Sequence, residues 1–182
     1  MKAWVVHDPG PIDGGPLSFV ERPPPEPGAG EVRVRVSVCG VCRTDLHLAE
    51  GDLAPHRPDV VPGHEIVGVV DALGPGASRF APGDRIGIAW LRATDGTCRF
   101  CRRGDENLCV EPRFTGWDAD GGYAEYAVVD ERYAYRIPDV FTDERAAPLL
   151  CAGIIGLPRA EAPPRSPLAV GSGSTASAAP RT

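Results

Sequence analysis

Lysine is almost missing from this chain: Lys2 stands alone against eighteen arginines. Lysine codons are A-rich and most arginine codons G/C-rich, so the imbalance points to a GC-rich gene. Basic runs are also absent, and the net charge of −6 argues against nucleic acid or anionic membrane as partner. No apolar segment approaches the ~20 residues of a membrane span. The stretch after Met1 is too short for a secretory leader. These absences lead to the expectation of a cytoplasmic protein.

The 182 residues suit one ordinary domain plus a tail. Most of the chain reads as β-structure. Glu31 to Val38 alternates valine with polar residues, the period-2 pattern of a half-buried strand. Ile66–Val70, Arg85–Ala89 and Tyr123–Val129 are further short strand candidates, punctuated by Gly and Pro turns at 23–28 and 74–76. The expected fold is mainly β with short helices, arranged as a small, partly open barrel. Thr44 and Asp45 read as the cap of a short helix, and Thr142-Asp143-Glu144 as the acidic start of another. Pro148 suits the first turn of a helix carrying Cys151. No internal repeat is evident.

Six cysteines in a chain of this kind read as thiols or metal ligands rather than disulfides. Cys98, Cys101 and Cys109 cluster, while Cys42 and Cys151 stand apart. Two thiolates and one imidazole, drawn from Cys42, His64 and Cys151, would leave a fourth tetrahedral position open, the arrangement of a catalytic zinc. Each residue alone has a plainer reading. His64 would be a hydrogen-bonded loop histidine, Cys151 a buried thiol, and Thr44 and Asp45 a helix cap.

Their order outweighs those readings. C-G-V-C-R-T-D-L-H, G-H-E-x-x-G-x-x-x-x-x-G (from Gly63), C-R-F-C-R-R-G-D-E-N-L-C, D-G-G-Y-A-E-Y (Asp120 to Tyr126) and A-A-P-L-L-C-A-G occur in sequence. Together they resemble the zinc-containing alcohol dehydrogenases of the medium-chain dehydrogenase/reductase family, from Met1 to about Gly156. The resemblance implies a GroES-like catalytic domain over 1–156. It makes Cys42, His64 and Cys151 ligands of a catalytic zinc with Glu65 beside the metal. Thr44 matches the hydroxyl that contacts the alcohol, and His47 the proton relay to solvent. Asp45 matches the carboxylate behind the zinc-bound histidine, and Arg43 a contact to the cofactor pyrophosphate. Cys39 reads as a buried small residue.

The family also carries a structural zinc in a lobe, here about 90–115. Cys98, Cys101 and Cys109 match three of its ligands, and Asp95 falls where the first cysteine is expected. The implied reaction is oxidation of an alcohol to an aldehyde or ketone with hydride transfer to NAD(P). The implied partners are small-molecule alcohols or aldehydes, with no nucleic acid or membrane, and the family is usually oligomeric. Because all three ligands are present, the zinc-independent quinone reductase branch is disfavoured. The other reading is a non-catalytic zinc-binding fragment.

Residues 157–182 contain six Ala, five Pro, four Ser and three Arg, with no Ile, Phe, Tyr or Trp. That composition predicts a disordered, non-family tail. The Gly171-Ser172-Gly173 segment lacks the preceding apolar strand of a phosphate loop. Out of frame, with TC-type serine codons, the end permits an apolar strand followed by G-x-G-x-x-A. The expectation is a frameshift-derived tail in a truncated chain without its Rossmann domain, weak or inactive alone.

Overall fold

The computed structural model describes residues 1–156, without the side chains of residues 155 and 156; the expected tail lies outside the described residues. Strands β1 (Lys2–Val6) and β2 (Leu17–Glu21) form an antiparallel hairpin sheet. The ten-residue strand β3 (Glu31–Gly40) leads into helix α1 (Arg43–Glu50). Next come β4 (Glu65–Leu73) and β5 (Arg85–Ile88), then the lobe strands β6 (Leu91–Ala93) and β7 (Arg113–Phe114). β8 (Tyr126–Asp130) and β9 (Ala134–Arg136) close the β-region, and short helices α2 (Asp143–Ala146) and α3 (Ala152–Gly156) follow. Among the described residues, no helix is long and apolar enough to cross a membrane.

The main sheet has the order β8-β3-β4-β5-β9, all antiparallel. The valine alternation in β3 does what a period-2 pattern should: the Val32 and Val34 side chains are wholly buried, while Arg33 and Arg35, on the other face, are half-buried and exposed. Val32 and Val34 pack with Ile66, Ile86, Ile88 and Val129 into one core. Fully burying an aliphatic side chain of this size contributes about 1.5–3 kcal/mol, so the strand register is strongly set. Irregularities between Arg33 and Val34 and between Val36 and Val38 curl β3. The result is a curled half-barrel, as the punctuated short strands led one to expect.

Two smaller clusters place the loops that matter. Leu48 and Ala49 of α1 pack on Val6 and Val60. Ala146, Ala147 and Leu150 pack on Val67 and Ala89 of the sheet region. Helix starts differ in detail from expectation. α1 is capped by Cys42, whose side chain and that of Asp45 form a capping box, rather than by Thr44. A 3₁₀ turn, Ala147–Leu150, occupies the position expected for a helix around Pro148. Cys151 sits at the break between it and α3 (φ −129°, ψ −81°) and so lies in no helix.

Candidate metal centre

The β3–β4 register builds the site. Gly40 pairs with Glu65 at the end of the ladder. Cys42 follows Gly40 by two residues and His64 precedes Glu65 by one, so pairing the strands brings thiol and imidazole together. Gly40 leaves room for Glu65: a Cβ would stand 2.0 Å from Glu65 Oε2, so a larger residue would displace that carboxylate. The α2 segment, anchored on the opposite face by Leu150, delivers Cys151. Its sulfur is 3.7 Å from that of Cys42. One ligand-type atom from each of Cys42, His64, Glu65 and Cys151 lies within 4.8 Å of all the others.

Asp45 joins the two ligand loops. Its Oδ2 accepts the Cys42 amide at 2.8 Å, and its Oδ1 accepts the Gly63 amide at 2.9 Å. Oδ1 also lies 3.5 Å from His64 Nδ1. Burial works to raise the Asp45 carboxyl, but the His64 ring and the two amides hold it below its ordinary value. His64 is 1% exposed and both its ring nitrogens are buried without a hydrogen-bond partner. An imidazole in that state is costly unless something binds it. Burial, and then the adjacent Cys42 sulfur, push the Cys151 thiol up to about 12. Two thiolates coexist here only with a cation to balance them. The donor set of two sulfurs, a neutral imidazole and a nearby carboxylate suits zinc.

Thr44 Oγ1 is 3.7 Å from Cys42 Sγ. With His47, Asp52 and Leu53 it lines a cavity of about 380 Å³. His47 is half-exposed, and its Nδ1 is 3.0 Å from Asp52 Oδ2. Arg43 lines a separate, largely apolar cavity of about 440 Å³ with Val41, Leu46 and Tyr123. Cys39 stays out of the ligand group; its sulfur packs against Gly63 and Gly122, and burial pushes its thiol up to about 12. Sequence reasoning did not reveal the aromatic wall. Trp90 meets the His64 ring edge-on at 4.9 Å and stacks on Phe114 at 4.8 Å, and Trp117 continues the stack. Single aromatics scattered over 28 positions carry no periodic signal, so only the folded chain shows them together.

The lobe between β6 and β7 gathers Asp95, Cys98, Cys101 and Cys109 into a second such group. Asp95 Oδ1 accepts the amides of Thr97 (2.7 Å) and Cys98 (2.8 Å). The amides of Cys98 and then Thr97 hold the Asp95 carboxyl down to about 2. Cys109 Sγ accepts the amides of Asp95 at 3.5 Å and Glu111 at 3.4 Å. The Cys98 and Cys101 sulfurs are 3.6 Å apart.

A curled antiparallel half-barrel, with thiols, an imidazole and a carboxylate gathered at the end of its central strand pair, is the architecture of a metal-binding GroES-like domain. Residues 28–139 match the alcohol dehydrogenase GroES-like domain, and the chain belongs to that family. It is 55% identical over 172 residues to "Probable alcohol dehydrogenase AdhA" of Mycobacterium tuberculosis, covering 90% of this chain and 50% of that one. It is 46% identical over 156 residues to an alcohol dehydrogenase of Geobacillus stearothermophilus, covering 85% and 45%. The fold is similar to the cobalt- and zinc-bound thermostable alcohol dehydrogenase of Pyrobaculum aerophilum, with TM-score 0.74, 34% identity, and coverage of 82% of this chain and 44% of that one. A crystal structure of an NAD-dependent alcohol dehydrogenase gives TM-score 0.76 at 35% identity, covering 82% and 43%. The chain spans about half the length of the curated relatives it matches.

Proposed function

We propose that residues 1–156 are the metal-binding catalytic domain of a zinc-dependent alcohol dehydrogenase acting on small alcohols or aldehydes. The carrying observation is that one ligand-type atom from each of Cys42, His64, Cys151 and Glu65 lies within 4.8 Å of the others, where neither nitrogen of the buried imidazole has a hydrogen-bond partner. Zinc held by these residues would act as a Lewis acid on the substrate oxygen. The chain's own residues supply the rest. Asp45 fixes the backbone of both ligand loops through its two amide hydrogen bonds, so the ligands are pre-positioned rather than recruited. Thr44 Oγ1 orients the substrate hydroxyl and accepts its proton while giving up its own hydroxyl proton towards His47, which lines the same cavity. His47, one helical turn on and open to water, takes up the proton leaving Thr44 on one ring nitrogen and releases a proton to solvent. The Trp90, Phe114 and Trp117 stack shields one side of the site from water.

The hydride acceptor in this reading is NAD(P). All paired strands of the described sheets are antiparallel. No parallel sheet flanked by helices is present among the described residues to hold a dinucleotide, and Arg43 is the single cofactor contact proposed here. In the lobe, Asp95, Cys98, Cys101 and Cys109 would hold a second, structural zinc.

Metal analysis tests this reading. The purified protein should carry two zinc ions per chain, and a Cys42→Ser, His64→Ala variant one. Two ions retained in that variant, or none in the parent, would reject the assignment. Formation of NADH from NAD and a primary alcohol reports on turnover.

A further inference from the structure

Sharing no residue with either metal-ligand group, the β1–β2 hairpin borders a cavity of about 380 Å³. Its lining is an apolar floor, Val5 and Val20, with Arg22, Ser18, His7 and Asp59 around it. The strand register explains the grouping. Val5 pairs with Ser18 and Ala3 with Val20, so alternate residues of both strands point to the same side.

Three observations single this cavity out. First, Arg22 Nε and Nη2 are buried and make no hydrogen bond. Nη2 lies 3.2 Å from Asp120 Oδ2 at ion-pair distance but without hydrogen-bond alignment. Second, Asp120 is shared. Arg57 Nη1 is 3.8 Å from its Oδ1, and that oxygen already accepts the Val61 amide at 3.1 Å. One carboxylate facing two guanidinium groups cannot pair fully with both, which leaves spare guanidinium donors beside a cavity whose lining also carries the Asp59 carboxylate, and unsatisfied donors call for a partner. Third, Asp59 is the non-glycine residue with positive φ (52°) among the described residues. Its carboxylate is held by His7 Nδ1 at 2.6 Å, while the ion pair of Arg22 is with Asp120. Backbone strain of this kind persists where the surroundings over-determine it.

We propose that this cavity binds a small organic anion. Its carboxylate or phosphate head sits on the Arg22 guanidinium within reach of the Ser18 hydroxyl, and its apolar part lies over Val5 and Val20. A guanidinium fork matches a planar carboxylate or a phosphate in two-point geometry. The cavity is roughly ten times the ~30 Å³ share of one water, so it has room for a body beyond the head group.

The probes are butyrate and inorganic phosphate, with chloride at matched ionic strength as reference, read by amide chemical shifts of the full ¹⁵N-labelled chain. The expected result is saturable shifts confined to Val5, His7, Ser18, Val20 and Arg22, with butyrate at least threefold tighter than phosphate. Arg22→Gln should weaken both at least tenfold while leaving zinc content unchanged. Phosphate binding as tightly as butyrate would sink the apolar part of the proposal. Shifts that do not saturate, that chloride reproduces, or that persist unchanged in Arg22→Gln overturn it entirely. Should Arg22→Gln not fold, Ser18→Glu places a tethered carboxylate in the cavity from an exposed position. Probe binding that survives this change also refutes the site.

Discussion

The Asp45 carboxylate and the His64 ring lie 3.5 Å apart, both nearly excluded from water. Asp45 also takes the amide hydrogens of Cys42 and Gly63, so one side chain ties together two of the loops that present metal ligands. Asp45→Asn keeps the shape but removes the charge and one acceptor oxygen. Zinc affinity at the Cys42 set should fall by about 10–100-fold, the usual effect of losing a partner behind a metal ligand. Chelator competition with the purified protein measures it, and an unchanged affinity would show that Asp45 is a helix cap and nothing more.

Gly63 tests the backbone around that pair. Its φ is +95°, and a Cβ would come within 2.7 Å of the Tyr123 ring and 2.8 Å of Cys39 Sγ. Gly76 also has positive φ (+79°), but a Cβ there would meet nothing within 4 Å. Gly76→Ala should therefore cost about 1–2 kcal/mol for the left-handed conformation alone. Gly63→Ala should cost clearly more, because overpacking adds about 1–3 kcal/mol. Urea unfolding of both variants decides, and equal costs would mean that Tyr123 gives way freely.

The lobe offers a ligand-exchange experiment. Asp95 stands where sulfur is expected by resemblance, and its Oδ1 is occupied by two amides. Asp95→Cys should tighten zinc binding in the lobe and strengthen the sulfur-to-metal charge-transfer absorption of the cobalt-substituted protein. Asp95→Ala, which removes both the oxygen ligand and the acceptor for those amides, should hasten both metal loss and lobe unfolding. Optical titration with cobalt follows all three proteins. Identical spectra for the parent and Asp95→Ala would remove Asp95 from the ligand set.

His7 gives a pH dependence away from the metal. The hydrogen bond to Asp59, then the charges of Asp59 and Asp8, raise its pKa above 6.5. A raised histidine stabilises the folded state at pH values below the unfolded pKa, and that contribution is lost as pH rises through the folded value. NMR titration should find the His7 midpoint above 6.5 in the parent and closer to 6.5 in Asp59→Asn. A midpoint that does not move would show that the 2.6 Å contact carries no weight in solution.

Much of the site was legible without coordinates. The alternation from Glu31 to Val38 marks β3 because a pleated strand buries every second residue, and five motifs in order carried the family resemblance. What stayed hidden depends on distant parts of the chain meeting. Cys151 looked like a helical residue because Pro148 favours a helix start; packing of Leu150 against the sheet instead breaks the segment at Cys151. Glycine at position 40 is an ordinary residue in sequence, and its lack of a side chain matters only when β4 lays Glu65 against it.

By itself, then, the amino-acid sequence determined the strand pattern, the donor types and the order in which thiols and imidazole occur, since these follow from local periodicity and side-chain chemistry. Tertiary structure alone decided that 109 positions of separation between Cys42 and Cys151 close to 3.7 Å, that three aromatic rings wall the His64 side, and that Arg22 is left with unused donors. Those are consequences of strand register and core packing, which bring together residues that no spacing rule connects.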